Sequence, residues 1–97
     1  GQANSLSGAT AIALGQGNQV LAANGVAIGA AGQVPAANTG AMVLADNSSP
    51  TFVAASAPNQ LTAAFVNGYR LHVDRGLTAT SGVVVAADAG AARLGVG

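Results

Sequence analysis

The chain contains one short phrase twice, as Ala11-Ile12-Ala13-Leu14-Gly15 and as Gly25-Val26-Ala27-Ile28-Gly29, with the two final glycines fourteen residues apart. A third, looser copy, Ala41-Met42-Val43-Leu44-Ala45, begins sixteen residues after the second and has Ala in place of the final glycine. A repeat this short cannot bury its own apolar side, so it needs neighbouring copies to pack against. The repeat therefore predicts a winding coil of β-strands, which is typical of a scaffold rather than a catalyst.

Large and small side chains alternate within each copy, as they do along a β-strand. Between the copies lie separators of Gly, Asn and Pro, which are turn-forming residues. We expect the large residues to line the interior of the coil and the alanines to face a close neighbour. The predicted structural residues of the repeat are Ile12, Leu14, Gly15, Val26, Ile28 and Gly29.

A helix is the alternative for such an alanine-rich stretch, because Ala has the highest helix propensity. Gly and Asn recur every few residues, and each interior Gly costs a helix about 1 kcal/mol relative to Ala. The pattern thus favours strands. Because the third copy is offset by two residues and lacks its glycine, the sequence does not predict a regular coil through residues 30–46.

The composition predicts an obligate oligomer. Apolar residues make up 51% of the 97 positions, but only 3% are aromatic and about a quarter are Ala. Burial yields roughly 25 cal/mol per Å² of apolar surface, whereas ordering the chain costs about 1.5 kcal/mol per residue. A core built from alanine is too thin for a monomer, and chains wound together would share one.

Charge and hydropathy exclude several partners. Three Arg and three Asp give a formal net charge of zero, with neither Lys nor Glu present. Nucleic acid and anionic membranes both need a basic surface, and no apolar run is long enough for a membrane-spanning helix. The absence of Cys does not decide the compartment. Without an initiator Met or a secretory leader, the chain reads as a piece of a longer protein.

The sequence predicts three segments. Residues 1–46 hold the repeats, and residues 47–58, with prolines towards both ends, form a connector with one short strand around Thr51 to Ala55. Residues 59–97 form a segment of longer strands.

The third segment begins with a predicted hairpin. A strand from Leu61 to Val66 leads into Asn67-Gly68, a strong hairpin-turn signal, and then into an alternating strand from Tyr69 to Asp74. Further short strands are predicted over 77–80, 82–86 and 93–96.

Little in the sequence points to catalysis. His72 and Asp74 form the one short-range pair of imidazole and acid, and we interpret them as the solvent-facing side of a strand. A metal or anion site built from three copies of His72 is the alternative. Gly15-Gln16-Gly17 lacks the rest of a nucleotide-binding motif. We predict no enzymatic activity, no cofactor and no metal site.

The side chains of Asn59 and Gln60 either bond to turn backbone or form polar layers at a symmetry axis.

The repeat at 11–15 and 25–29 resembles the head repeats of YadA-type trimeric autotransporter adhesins, which also occur in bacteriophage tail fibres and spikes. The resemblance implies an all-β, homotrimeric fibrous β-structure. In it, N-terminal left-handed β-roll repeats, packed around a threefold axis, are followed by intertwined or packed strands.

Residues 58–71 resemble a segment common in trimeric tail fibres, in which Asn-Gln precedes an apolar strand, a Gly turn and an aromatic-Arg-apolar strand. The fragments Arg70-Leu71-His72-Val73, with the later Gly82-Val83-Val84-Val85, and 92–97 resemble phrases of fibre repeats. The residues expected in the trimer core are Leu61, Phe65, Tyr69, Leu71 and Val73.

The resemblance favours a structural and adhesive segment of a phage tail fibre or spike, located on the virion and outside the cell. Its expected partners are two further copies of the chain and a host cell-surface glycan or protein. Three alternatives stay open: a bacterial trimeric autotransporter adhesin on the cell surface, an ice-binding solenoid, and a glycan-cleaving enzyme. A single Thr-x-Thr pair, Thr78 and Thr80, and the lack of paired carboxylates weaken the last two.

Overall fold

The computed structural model describes residues 1–71 and the backbone of residues 83–85, and these residues form strands and turns without a helix. The strands are, in chain order, β1 Ser5–Leu6, β2 Ile12–Gln16, β3 Gln19–Val20, β4 Val26–Ala30, β5 Gly32–Val34, β6 Met42–Ala45, β7 Val53–Ala54, β8 Leu61–Ala64, β9 Tyr69–Leu71 and β10 Val83–Val85. Within this described part, no helix is available to cross a membrane.

The first eight strands build a β-solenoid. Strands β2, β4, β6 and β8 form one parallel four-stranded sheet, here sheet A, and β1, β3, β5 and β7 form a second, here sheet B. Because successive strands alternate between the two sheets, the chain winds through four coils. The prediction of an all-β, coiled fold is confirmed at this level.

The coils differ in length, yet the strands stay in register. In sheet A, Ile12 pairs with Val26 fourteen residues on, Val26 with Met42 after sixteen, and Met42 with Leu61 after nineteen. The corners between strands hold the additional residues, so the ladder continues unbroken. A regular coil therefore does run through residues 30–46, contrary to the irregularity that the offset third copy suggested.

Sheet B takes its fourth strand from the predicted connector. Within residues 47–58, Val53 and Ala54 pair in parallel with Gly32 and Gln33 of β5. This segment thus contributes a strand to the solenoid. The chain divides into two compact units, Gly1–Ala64 and Phe65–Gly97.

Each coil turns one corner through a residue with positive φ. The four residues at this corner are Thr10 (φ 54°), Asn24 (φ 58°), Gly40 (φ 77°) and Asn59 (φ 57°). Asn and Gly tolerate this left-handed region better than other residues do. This backbone requirement explains why Asn and Gly separate the copies of the repeat.

Buried Asn38 fastens the corner of the third coil to the fourth. Its Nδ2 donates to the Ala55 carbonyl oxygen at 2.9 Å, and its backbone N–H donates to the Pro35 carbonyl oxygen at 2.9 Å.

We expect Asn38→Ala to lower the free energy of unfolding by about 1–3 kcal/mol, because it leaves the buried Ala55 carbonyl without this donor. Urea unfolding measures the loss. Thr39→Ala, at an exposed neighbour, is the control, with an expected change within about 0.5 kcal/mol. Equal losses in both variants would contradict this role of Asn38.

The second unit contains an antiparallel pair, in which β9 lies beside β10 with Tyr69 opposite Val85 and Leu71 opposite Val83. In the described residues, β8 and β9 belong to different sheets, so the predicted hairpin between Leu61 to Val66 and Tyr69 to Asp74 is wrong there. Strand β8 pairs in parallel with β6 instead. Residues 72–74 of that prediction lie outside the described part. An Asn-Gly turn signal is local and does not specify which strands pair across it. The predicted strand over 82–86 is confirmed at β10, whereas those over 77–80 and 93–96 lie outside the described residues.

Candidate functional site

Sheet A presents a continuous apolar surface on its outward side. The strand register aligns two rows of outward side chains across the four strands, one starting at Ile12 and the other at Leu14. We call this surface the apolar face. Its large side chains are Ile12, Leu14, Val26, Ile28, Met42, Leu44 and Leu61.

The large side chains of the apolar face are open to solvent in the single chain. Ile12, Leu14, Ile28, Met42 and Leu61 are between 38% and 63% exposed. The expectation that the large repeat residues line the interior is therefore wrong. Val26 and Leu44, in the same rows, are partly buried.

The interior between the two sheets contains alanine and valine. Its fully buried side chains include Ala27, Val20, Val34 and Val43. The space is so narrow that a Cβ added at Gly25 would lie 2.8 Å from Val20 Cγ1. This tightness explains the reversed orientation: small residues fit between the sheets, and larger ones must point outward.

The outward side of sheet B is polar by comparison. Ser5, Gln19 and Gln33 align across adjacent strands, and Gln33 Nε2 donates to Gln19 Oε1 at 2.6 Å. The two outer sides of the solenoid thus differ in chemistry. Sheet B is suited to water, and sheet A is suited to an apolar partner.

The predicted trimer-core residues are largely exposed where the structure describes them. Leu61, in the apolar face, and Leu71, in β9, are 63% and 65% exposed. Phe65 packs its ring edge-on against Tyr69, with centroids 5.7 Å apart. Val73 lies outside the described residues.

The repeat glycines Gly15 and Gly29 lie opposite each other in sheet A and have φ of 116° and 117°. A Cβ at Gly15 would lie 2.1 Å from the Gly29 carbonyl oxygen, and one at Gly29 would lie 1.8 Å from that of Ala45. Glycine is therefore required at both positions, for backbone conformation and for close stacking of the coils. In the third copy, Ala45 is buried and is absent from the residues with positive φ.

Asn18 is a structural residue that the sequence analysis missed. It is 1% exposed, and its Nδ2 lies within hydrogen-bond distance of Asn4 Oδ1 (3.1 Å) and the carbonyl oxygens of Leu14 and Gly29 (3.0 Å each). Its Oδ1 accepts the Gly32 N–H at 2.8 Å. The side chain therefore ties three successive coils together. The signal in the sequence is the fourteen-residue spacing of Asn4, Asn18 and Gly32.

The polar residues considered for chemistry serve turns where they are described. Gln60 Oε1 accepts the Ser56 N–H at 2.8 Å, and the Asn59 N–H donates to the Thr39 carbonyl oxygen at 3.0 Å. The turn-backbone interpretation of Gln60 is thus confirmed. In Gly15-Gln16-Gly17, the Gly17 N–H donates to the Gln2 carbonyl oxygen at 2.9 Å. His72 and Asp74 lie outside the described residues.

Among the described residues, no group of three or more His, Cys, Asp or Glu side chains lies close enough to hold a metal ion. Asp46 Oδ1 accepts the Ser48 N–H at 3.0 Å, so this carboxylate helps to hold a turn. In this part of the molecule, the surface with the clearest chemical character is the apolar face.

Comparisons with protein-family models, curated proteins and solved structures gave no match to this chain. The features of the chain that bear on function are the apolar face and the repeat.

Proposed function

We propose that this chain is a structural and adhesive segment of a homotrimeric bacteriophage tail fibre or spike, which supports attachment of the virion to the host surface. The observation that supports the proposal is the apolar face, where aliphatic side chains from four consecutive coils lie side by side and exposed.

A second and third copy of the chain are the partners that fit this face. Exposed apolar surfaces of this regularity are typical of association sites in soluble proteins. The interior of alanine and valine contributes little burial, so stability must come from elsewhere. Packing the apolar face against the same face of other copies would bury the larger side chains. The number three comes from the resemblance of the repeat to trimeric fibre proteins.

The host-attachment part of the proposal concerns the corners of the coils. Surface loops on a rigid scaffold are the usual place for recognition. The corners also absorb the differences in coil length, while the sheets stay in register. We propose that a host-surface glycan or protein binds at the corners, outside the cell, while the apolar face holds the three chains together.

The solution mass tests the assembly. We expect size exclusion with light scattering to give about three times the chain mass of 9.1 kDa. Ile28→Asp places a carboxylate in the middle of the apolar face, and its burial would be costly. This variant is expected to shift the mass to that of the single chain.

Gln33→Glu is the matched control, because it places a carboxylate on the outward side of sheet B. We expect it to keep the mass of the wild type. A monomeric wild type would overturn the trimer. A trimeric wild type that Ile28→Asp leaves intact would overturn the apolar face as its interface.

A further inference from the structure

The dipeptide Asn-Gly occurs twice in the chain, as Asn24-Gly25 and as Asn67-Gly68. An asparagine before glycine is chemically vulnerable, because the following backbone nitrogen can reach the side-chain amide carbon and glycine has no Cβ to obstruct it. The reaction also needs freedom of the backbone and the side chain. The two copies differ in this freedom.

Hydrogen bonds within the solenoid hold Asn24-Gly25 in place. The Thr10 hydroxyl donates to Asn24 Oδ1, and the Asn24 backbone N–H donates to the Ala9 carbonyl oxygen at 2.8 Å. Gly25 is buried, and its carbonyl oxygen accepts the Ile12 N–H at 3.0 Å. Attack on the Asn24 side chain would require this corner to open.

Asn67-Gly68 lies in an exposed turn between β8 and β9. Asn67 is exposed, and Gly68, with φ 91°, donates its N–H to the Phe65 carbonyl oxygen at 3.0 Å. In the described residues, β8 pairs with β6 and β9 pairs with β10. Local opening of such a segment costs less than opening the solenoid.

We propose that Asn67 is a site of spontaneous deamidation. The Gly68 nitrogen gives up its proton and its hydrogen bond to Phe65, then forms a bond to Asn67 Cγ. The bond from Cγ to the side-chain nitrogen breaks, and ammonia leaves. Water then opens the resulting succinimide at one of its two carbonyls, giving aspartate or isoaspartate. Oxidation states do not change, and water is the only other reactant.

The modification changes both charge and chain length at the turn. It adds a carboxylate to a chain with a formal net charge of zero. Isoaspartate also lengthens the backbone between Phe65 and Tyr69, whose rings are in edge-to-face contact. This inference does not depend on the proposed function.

Peptide mapping of the aged protein tests the proposal. The native full chain is incubated in mildly alkaline buffer, and chymotrypsin then cuts after Phe65 and Tyr69 to isolate Asn67 from Asn24. Mass spectrometry quantifies the carboxyl product at each site, and chromatographic separation of the isomeric peptides distinguishes isoaspartate from aspartate. We expect conversion of Asn67 to be about tenfold faster than that of Asn24, since its turn opens more easily.

Two controls distinguish the effect of the folded structure on the deamidation rate from the effect of the Asn-Gly sequence itself. In concentrated urea the two Asn-Gly sites are expected to react at similar rates, because both are then unfolded. Asn67→Gln is expected to leave residue 67 unmodified and the rate at Asn24 unchanged. Equal rates in the native chain, or faster reaction at Asn24, would overturn the proposal.

Discussion

Replacing Gly29 with Ala is expected to lower the free energy of unfolding by about 3–5 kcal/mol, through backbone strain and overpacking combined. Gly29 has φ 117°, and an added Cβ would lie 1.8 Å from the Ala45 carbonyl oxygen. That oxygen belongs to the neighbouring strand of the ladder, so the coil itself would have to shift. Urea unfolding at a fixed protein concentration measures the loss, because any association between chains would also contribute to apparent stability.

Gly17→Ala is the matched control. Gly17 also has positive φ, at 68°, but no atom lies within 4 Å of the position that a Cβ would take. The corresponding residue of the next coil is already an alanine, Ala31, with φ 58°. We expect a loss of only about 1–2 kcal/mol, from the left-handed backbone alone. If the two alanine variants unfolded at the same urea concentration, close stacking of the coils would not be the reason for glycine at position 29.

Replacing Asn18 with Leu is expected to cost about 3–5 kcal/mol. The leucine side chain has a similar volume but no polar atoms, so the Gly32 N–H loses its acceptor. The Leu14 and Gly29 carbonyl oxygens lose their contact with Asn18 Nδ2 at the same time. Each buried polar group left without a partner costs about 1–3 kcal/mol. Differential scanning calorimetry should show a lower melting temperature, and far-ultraviolet circular dichroism should show retained β-structure.

Gln19→Leu is the control, since it removes an amide one residue away on the outward side of sheet B. Its single bond, to Gln33, is between side chains and is partly exposed, so we expect a change within about 0.5 kcal/mol. A loss at Gln19 as large as that at Asn18 would contradict the role of Asn18 as the tie between coils.

The repeat identifies the strands of the first three coils, because period-two alternation and the fourteen-residue spacing are both visible in the sequence. The repeat does not identify which side of each strand faces the interior of the solenoid. Alternation divides Ile12 and Leu14 from Ala13, but which set is buried depends on how closely the two sheets approach. The interior between the sheets is too narrow for the larger set, so the structure reverses the expected orientation.

The fourth coil and the pairing of β9 depend on contacts distant in sequence. Spacing lengthens to nineteen residues between Met42 and Leu61, so the fourth coil has no periodic signal, although backbone pairing keeps its register. Asn67-Gly68 marks a turn correctly, since Gly68 has positive φ and bonds back to Phe65. Which strands lie beside each other is decided by ladder hydrogen bonds that a two-residue signal does not encode.

Because the strands of sheet A stay in register, the axial length of the solenoid depends on its number of coils. Each coil adds one strand to the ladder and so advances the structure by about 4.8 Å, whether it contains fourteen residues or nineteen. The length of the solenoid along its axis is therefore independent of the number of residues in each coil. Insertions at a corner would widen the cross-section without changing the length of the solenoid, whereas duplication of a whole coil would lengthen it by one fixed step.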